Sequence, residues 1–232
     1  MQYFSLILLI LYLLATILFS LGLKIYKIYY GIGYLFFGLS LYLCGTTVLS
    51  QETNPLFHML AGITVGTLVF PLSLFLTTLS FKEIISHGFP FKGMAAYYRS
   101  RPLWTAGILV LCVVEEFMWR AVVQDYFGKI YLNSPYLSIT LTAIIFTIVH
   151  KKNIQDDLLK KVEFFLFSLF LGYAYFVTHS LIFVTLIHLV RNVNVEYRES
   201  RKEGRANSEG ILCVDSPHPA GKIDGRPCDG NG

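Results

Sequence analysis

Residues 56–81, LFHMLAGITVGTLVFPLSLFLTTLSF, contain no Asp, Glu, Lys or Arg. A hydrocarbon core of about 30 Å is crossed by roughly 20 helical residues, so this stretch reads as a transmembrane helix and makes lipid the solvent for much of the chain. Six further apolar runs surround it: Tyr3 to Leu23, Ile28 to Thr47, Leu103 to Val123, Pro135 to His150, Leu158 to Val177 and Leu181 to Val195. The hydrophobic content of 54% exceeds what a soluble domain of this size can bury. The expected fold is an all-α, polytopic transmembrane helix bundle of about seven spans.

The first run competes with a cleaved signal peptide, which is also apolar and N-terminal. No Lys or Arg precedes it, it is longer than a typical signal core, and no small-x-small cleavage site follows, so it is read as a retained span.

Orientation follows from the cations, because basic residues near span ends stay in the cytoplasm. Lys24 and Lys27 follow the first run, Lys82, Lys92, Arg99 and Arg101 the third, and Lys151, Lys152, Lys160 and Lys161 the fifth; the rest are found from Arg191 onward. Only Lys129 falls on the other side, and Arg120 lies inside a span. This alternation requires an odd number of spans, with the N-terminus outside and the C-terminus cytoplasmic. The net charge of +4 is then a topology signal and gives no support to nucleic-acid binding. The expected location is multi-pass, in the plasma (inner) membrane of a prokaryote, with membrane lipids as partners. Cys44 and Cys112 lie in apolar runs, while Cys213 and Cys228 lie in a reducing compartment, so no disulfide framework is expected.

Residues 1–195 are read as one membrane domain. From Glu196 the composition turns polar and rich in Gly, Pro and charge, so residues 196–232 are read as a disordered cytoplasmic tail. In the connection from Lys82 to Pro102, Met94-Ala95-Ala96-Tyr97-Tyr98-Arg99 reads as an interfacial segment, with Ser100 and Pro102 as cap and first turn of the fourth helix. Gly62 and Gly66 form a G-x-x-x-G that lets another helix approach closely, and Pro71 is expected to kink the third helix.

The informative polar residues are the few inside the spans. Val113-Val114-Glu115-Glu116-Phe117-Met118-Trp119-Arg120 places two carboxylates and a guanidinium within two turns. Each is costly at mid-bilayer unless paired or hydrated, which makes them candidates for function. Glu116 and Arg120 are four apart with the acid first, the favourable order for an ion pair. Glu115 is rotated by about 100° and can face another neighbour. The fifth run ends in Phe146-Thr147-Ile148-Val149-His150, and the seventh holds His188-Leu189-Val190-Arg191-Asn192, so Phe146 shares a face with His150 and His188 with Asn192.

Three helices thus have reason to turn these groups into one wet cavity. Glu115 lies roughly 20 Å along its helix from Arg101, and His150 roughly 23 Å from the opposite surface; the mismatch of about one turn is within reach of a tilt of about 20°. The fitting chemistry is amide hydrolysis by an activated water. Glu115 with His150 would take the proton and return it to the leaving amine. His188 and Asn192 would supply donors to the tetrahedral oxyanion. Arg120 would hold Glu116 charged and fix the helix geometry.

E-E-x-x-x-R, F-x-x-x-H and H-x-x-x-N, in that order on successive spans, resemble the CAAX-protease and bacteriocin-processing family, also called the Abi or type II CAAX endopeptidase family. The resemblance covers roughly Leu103 to Asn192. It implies an intramembrane endopeptidase that opens to the cytoplasmic side, acts on a hydrophobic or lipidated peptide, and depends on Glu115, Glu116, His150 and His188. Carried over, Glu115 and His150 activate water while His188 and Asn192 bind the oxyanion. Members have been described both as metalloproteases and as metal-free glutamate enzymes. A Glu, His, His set could bind Zn²⁺ with one open position, but H-E-x-x-H is missing, so no metal or other cofactor is the expectation.

Two other readings use the same residues. A proton- or ion-coupled transporter would use the acids and histidines as a relay, although the inverted repeat typical of transporters is not apparent. A non-catalytic bacteriocin-immunity protein of the same fold would keep them as buried glue. His58, His87, His179 and His218 are read as solvated residues at span ends, in loops or in the tail.

Overall fold

The computed structural model describes residues 2–20, 26–78, 91–150 and 157–214. Lys24, Lys82, His87, Lys151, Lys152, His218 and Cys228 lie outside them. Among the described residues the chain is all helical, with no strand. The helices are α1 (Gln2–Ser20), α2 (Tyr26–Gln51), α3 (Pro55–Thr78), α4 (Phe91–Arg99), α5 (Pro102–Glu116), α6 (Gly128–Tyr131), α7 (Pro135–Val149), α8 (Leu158–Thr178) and α9 (Leu181–Val214). A π-helical segment, Phe117–Phe127, joins α5 to α6, and the three together form one rod.

Each of the seven apolar runs centres on a helix. Gly31–Gln51, Pro55–Thr78 and Leu158–Thr178 are long and apolar enough to cross a membrane, while Leu6–Thr16 and Pro135–Val149 are shorter apolar helices. The packing inverts the rule for water-soluble proteins. Leu103 is 89% exposed and Leu49 78%, whereas Glu116, Arg120, Glu163, His188 and Arg191 are buried. In water such a surface would be an aggregation site; against acyl chains it is the low-energy arrangement, because the charges have turned inward toward one another.

The rod shows this most clearly. Along α5, Leu103, Trp104, Leu109, Val110, Leu111 and Val113 face outward, but from Glu116 to Gln124 every residue is buried. A helix buried on all sides occupies the centre of its bundle. The rod also outlasts the apolar run that ends at Val123, because the polar residues that follow find partners: Gln124 Nε2 donates to the Gly172 carbonyl at 2.8 Å, and Lys129 pairs with Asp125 at 2.8 Å. Ser138 of α7 donates to the Gln124 carbonyl at 2.5 Å.

Gly62 and Gly66 bring α3 onto α9, the most extensive helix contact in the bundle. A Cβ on Gly62 would sit 2.7 Å from the Phe183 carbonyl oxygen, and one on Gly66 2.9 Å from Val190 Cβ, so the close approach predicted for this pair is made within the chain. The helix continues through Pro71. Ser100 does not cap the rod as expected. Arg101 occupies the cap position without a side-chain bond, and the Ser100 hydroxyl donates instead to the Tyr97 carbonyl at 2.7 Å, closing α4. Pro102 does take the first turn.

Two further differences concern ends. The α9 helix continues past Val195 to Val214, and Tyr197 is still buried, packed edge-on to Tyr97 of α4 at 5.6 Å; packing against the bundle therefore extends beyond the point where the apolar run stops. At the other end of α9, His58 is not merely solvated. Its Nδ1 lies 2.5 Å from Glu52 Oε1, and Glu52 accepts from the Ser180 hydroxyl at 2.8 Å and the Ile182 amide at 3.4 Å. A carboxylate there complements the positive end of the α9 dipole.

Candidate active site

Glu115 and Glu116 end α5, and their rotation about the helix sends them to different partners. Glu116 is fully buried: its Oε2 accepts from Arg120 Nε at 3.0 Å, and its Oε1 lies 2.7 Å from His188 Nδ1 of α9. Arg120, also fully buried, donates through Nη2 to Ser168 Oγ of α8 at 3.1 Å and lies 5.4 Å from the centre of the Phe146 ring. A buried pair of this kind is held by its mutual bonds, since either charge alone would be expensive.

Glu115 keeps 19% side-chain exposure and lies between the two imidazoles. Its Oε1 is 3.5 Å from His150 Nε2 and its Oε2 is 3.8 Å from His188 Nε2. The other ring nitrogens determine what these faces can offer. His150 Nδ1 lies 2.8 Å from the Phe146 carbonyl, which can only accept, so Nδ1 carries a proton and the neutral ring presents a lone pair at Nε2. The ionised Glu116 carboxylate likewise only accepts, so His188 donates from Nδ1.

Phe146 is fully buried at the centre of an aromatic wall. Its ring lies 4.2 Å from that of His150, 5.4 Å from Trp119 and 5.4 Å from Phe164, the last nearly parallel. Asn192, one turn beyond His188, directs its amide to Cys112 Sγ at 3.6 Å, and Cys112 is one turn before Glu116 on α5. The structure therefore brings Glu115, Glu116, Arg120, Phe146, His150 and His188 into one cluster and places Asn192 along its α5 side. Among the described residues no group of three His, Cys, Asp or Glu side chains is arranged to hold a metal ion.

A second buried pair matches none of the sequence motifs. Arg191 of α9 donates to Glu163 of α8 at 2.7, 3.0 and 3.1 Å, and Ser73 of α3 donates to the same carboxylate. The Arg191 guanidinium lies 4.6 Å from the Phe167 ring centre, and Phe167 in turn stands 5.8 Å from the His188 ring. By sequence Arg191 groups with the cytoplasmic cations; in the fold its partner is Glu163, an acid inside the sixth run. Ser168 and Gly172 carry no sequence signal either, because nothing local to them reveals that a guanidinium and an amide dock there.

No curated protein and no solved structure matches the chain. Residues 96–194, which contain every residue of the Glu115 cluster, match the family model described as Rce1-like type II CAAX prenyl endopeptidase, so this stretch of the membrane chain is similar to the CAAX-protease family.

Proposed function

We propose that the chain is an intramembrane endopeptidase that cleaves a peptide bond in a membrane-embedded or lipidated peptide, with Glu115 and His150 activating the water. The observation that carries this reading is the 3.5 Å separation of Glu115 Oε1 from His150 Nε2. Both are acceptors when Glu115 is ionised and His150 neutral. A water seated beside this gap can donate to both, which leaves its oxygen electron-rich for attack on a carbonyl carbon; the proton taken up is then available to the leaving amine.

His188 and Asn192 serve the oxyanion. For His188 to donate from Nε2 while Nδ1 remains on Glu116, it must carry both ring protons. That imidazolium, with Arg120, balances the formal charges of Glu115 and Glu116. Arg120 and Phe146 hold this geometry from behind. These steps run on protein side chains and water, without a metal. The site belongs to the cytoplasmic half of the membrane under the orientation set by the basic residues, in a prokaryotic plasma membrane. The prenyl substrates in the family's description make lipid-modified peptides the first class to try.

The test compares new protein N-termini in membranes of cells carrying wild type or Glu115→Gln. Fragments that appear only with wild type are expected; identical sets from both cells would count against proteolysis.

A further inference from the structure

Along the rod, Glu116, Arg120 and Gln124 are spaced four apart and all buried. Glu116 is fully engaged, but beyond it the polar atoms are only partly matched. Arg120 Nη1, a donor, and Gln124 Oε1, an acceptor, have no hydrogen-bonding partner among the described residues; neither does His179 Nδ1, further toward the end of the bundle. Buried polar atoms left unmatched by protein are ordinarily matched by water.

Gly172 packs closely against both groups. A Cβ on Gly172 would lie 2.7 Å from Gln124 Oε1 and 3.5 Å from Arg120 Nη1. The unmatched acceptor and donor therefore lie beside the same glycine, near enough for one water to reach both. Gln124 also lines a cavity of about 380 Å³ with Asp125, Lys129, Asn133, Ser138 and His179, at the end of the rod away from Glu115. One water needs only roughly 15 Å³ of such volume.

We infer that Gln124 and Arg120 form the wall of a water path that begins in this cavity and ends behind the Glu116–His188 pair. A side chain at Gly172 would press on Gln124 Oε1 and on Ile139 Cγ2 and so disturb the bridge. The ligand is water, and the path approaches from the side opposite Glu115. Its use as a supply for hydrolysis rests on the protease reading, but its hydration does not.

The experiment is a map of the full chain in lipid nanodiscs at a resolution that shows ordered water. Density within about 3 Å of both Arg120 Nη1 and Gln124 Oε1, continued by waters beside Gln124 and His179, is expected. A dry gap, or a direct Arg120–Gln124 bond that closes it, would overturn the inference. Gly172→Ala should displace the bridging density and slow turnover roughly three- to tenfold at unchanged KM. Gln124→Leu should do the same, which guards against a folding defect peculiar to the alanine. Turnover that stays at the wild-type level after the bridge is gone rules out the supply role. Waters present in a chain that cleaves no peptide would instead count against the protease reading alone.

Discussion

Glu115 Oε1 faces His150 Nε2 at 3.5 Å, and the Phe146 carbonyl holds the proton of that ring on its far side. Under the proposed reading a water that meets both groups gives up its proton there, and the backbone fixes which ring nitrogen is free to receive it. The two residues come from helices separated in sequence by the whole of the rod's second half.

Replacing Glu115 by Gln removes the proposed base but little of the packing, because the side chain is 19% exposed and its histidine contacts are as long as 3.5 and 3.8 Å. Peptide cleavage by the purified variant is expected to fall by at least about 100-fold. Its melting temperature should stay near that of wild type. A variant retaining cleavage within a few fold would remove Glu115 from the mechanism.

Glu116→Gln should behave in the opposite way with respect to folding. The substitution keeps the shape but leaves the fully buried Arg120 without its counter-charge, a loss of about 3–5 kcal/mol by analogy with other broken buried pairs. Unfolding in mild detergent should begin at clearly lower temperature or denaturant concentration than for Glu115→Gln. Equal stability of the two variants would show that the neighbouring glutamates do not have different tasks.

Much of this is legible in the sequence because membrane burial is expensive for charge. Glu115, Glu116 and Arg120 stand out in an apolar run, and the four-residue spacing of Glu116 and Arg120 is realised as an ion pair. The convergence of Glu115 on His150 follows from depth, counted along two helices. Glu163 obeys the same rule but sits close to Lys160 and Lys161 at the start of its run, and its partner Arg191 is visible only once α8 and α9 fold antiparallel. The π segment leaves no trace, since burial on all sides, Arg120 and Gln124 included, gives its sequence no amphipathic period to read. Ser168 and Gly172 are invisible for a related reason: their importance lies in what docks on them.

A chelator experiment addresses the reaction directly. Under the proposed mechanism, in which Glu115 and His150 form the base, cleavage should survive extensive treatment with a zinc chelator. Loss of activity that added Zn²⁺ restores would overturn the metal-free proposal.

Gly62 is a test of the α3–α9 contact. Its missing side chain lets the Phe183 carbonyl and Leu186 Cβ approach to where a Cβ would be 2.7 and 3.0 Å away, and backbone cannot yield as a flexible side chain can. Gly62→Ala should cost about 1–3 kcal/mol as overpacking, and Gly62→Leu should cost more, both read as earlier unfolding in detergent. Gly107, with open space around its would-be Cβ, should accept Ala with no measurable loss.

The Glu163–Arg191 pair separates a charge kept for stability from one kept for geometry. Each partner is buried, and their bonds are bidentate, so removing one strands the other at a cost of about 3–5 kcal/mol. Removing both leaves no stranded charge. The double variant Glu163→Leu with Arg191→Met should therefore recover most of the stability lost by either single change, a coupling that a double-mutant cycle measures. Cleavage should not recover with it. Arg191 lies against Phe167 and Phe167 against His188, and the methionine cannot hold that aromatic wall as the guanidinium does. Restored stability together with full activity would show that the pair serves the fold alone.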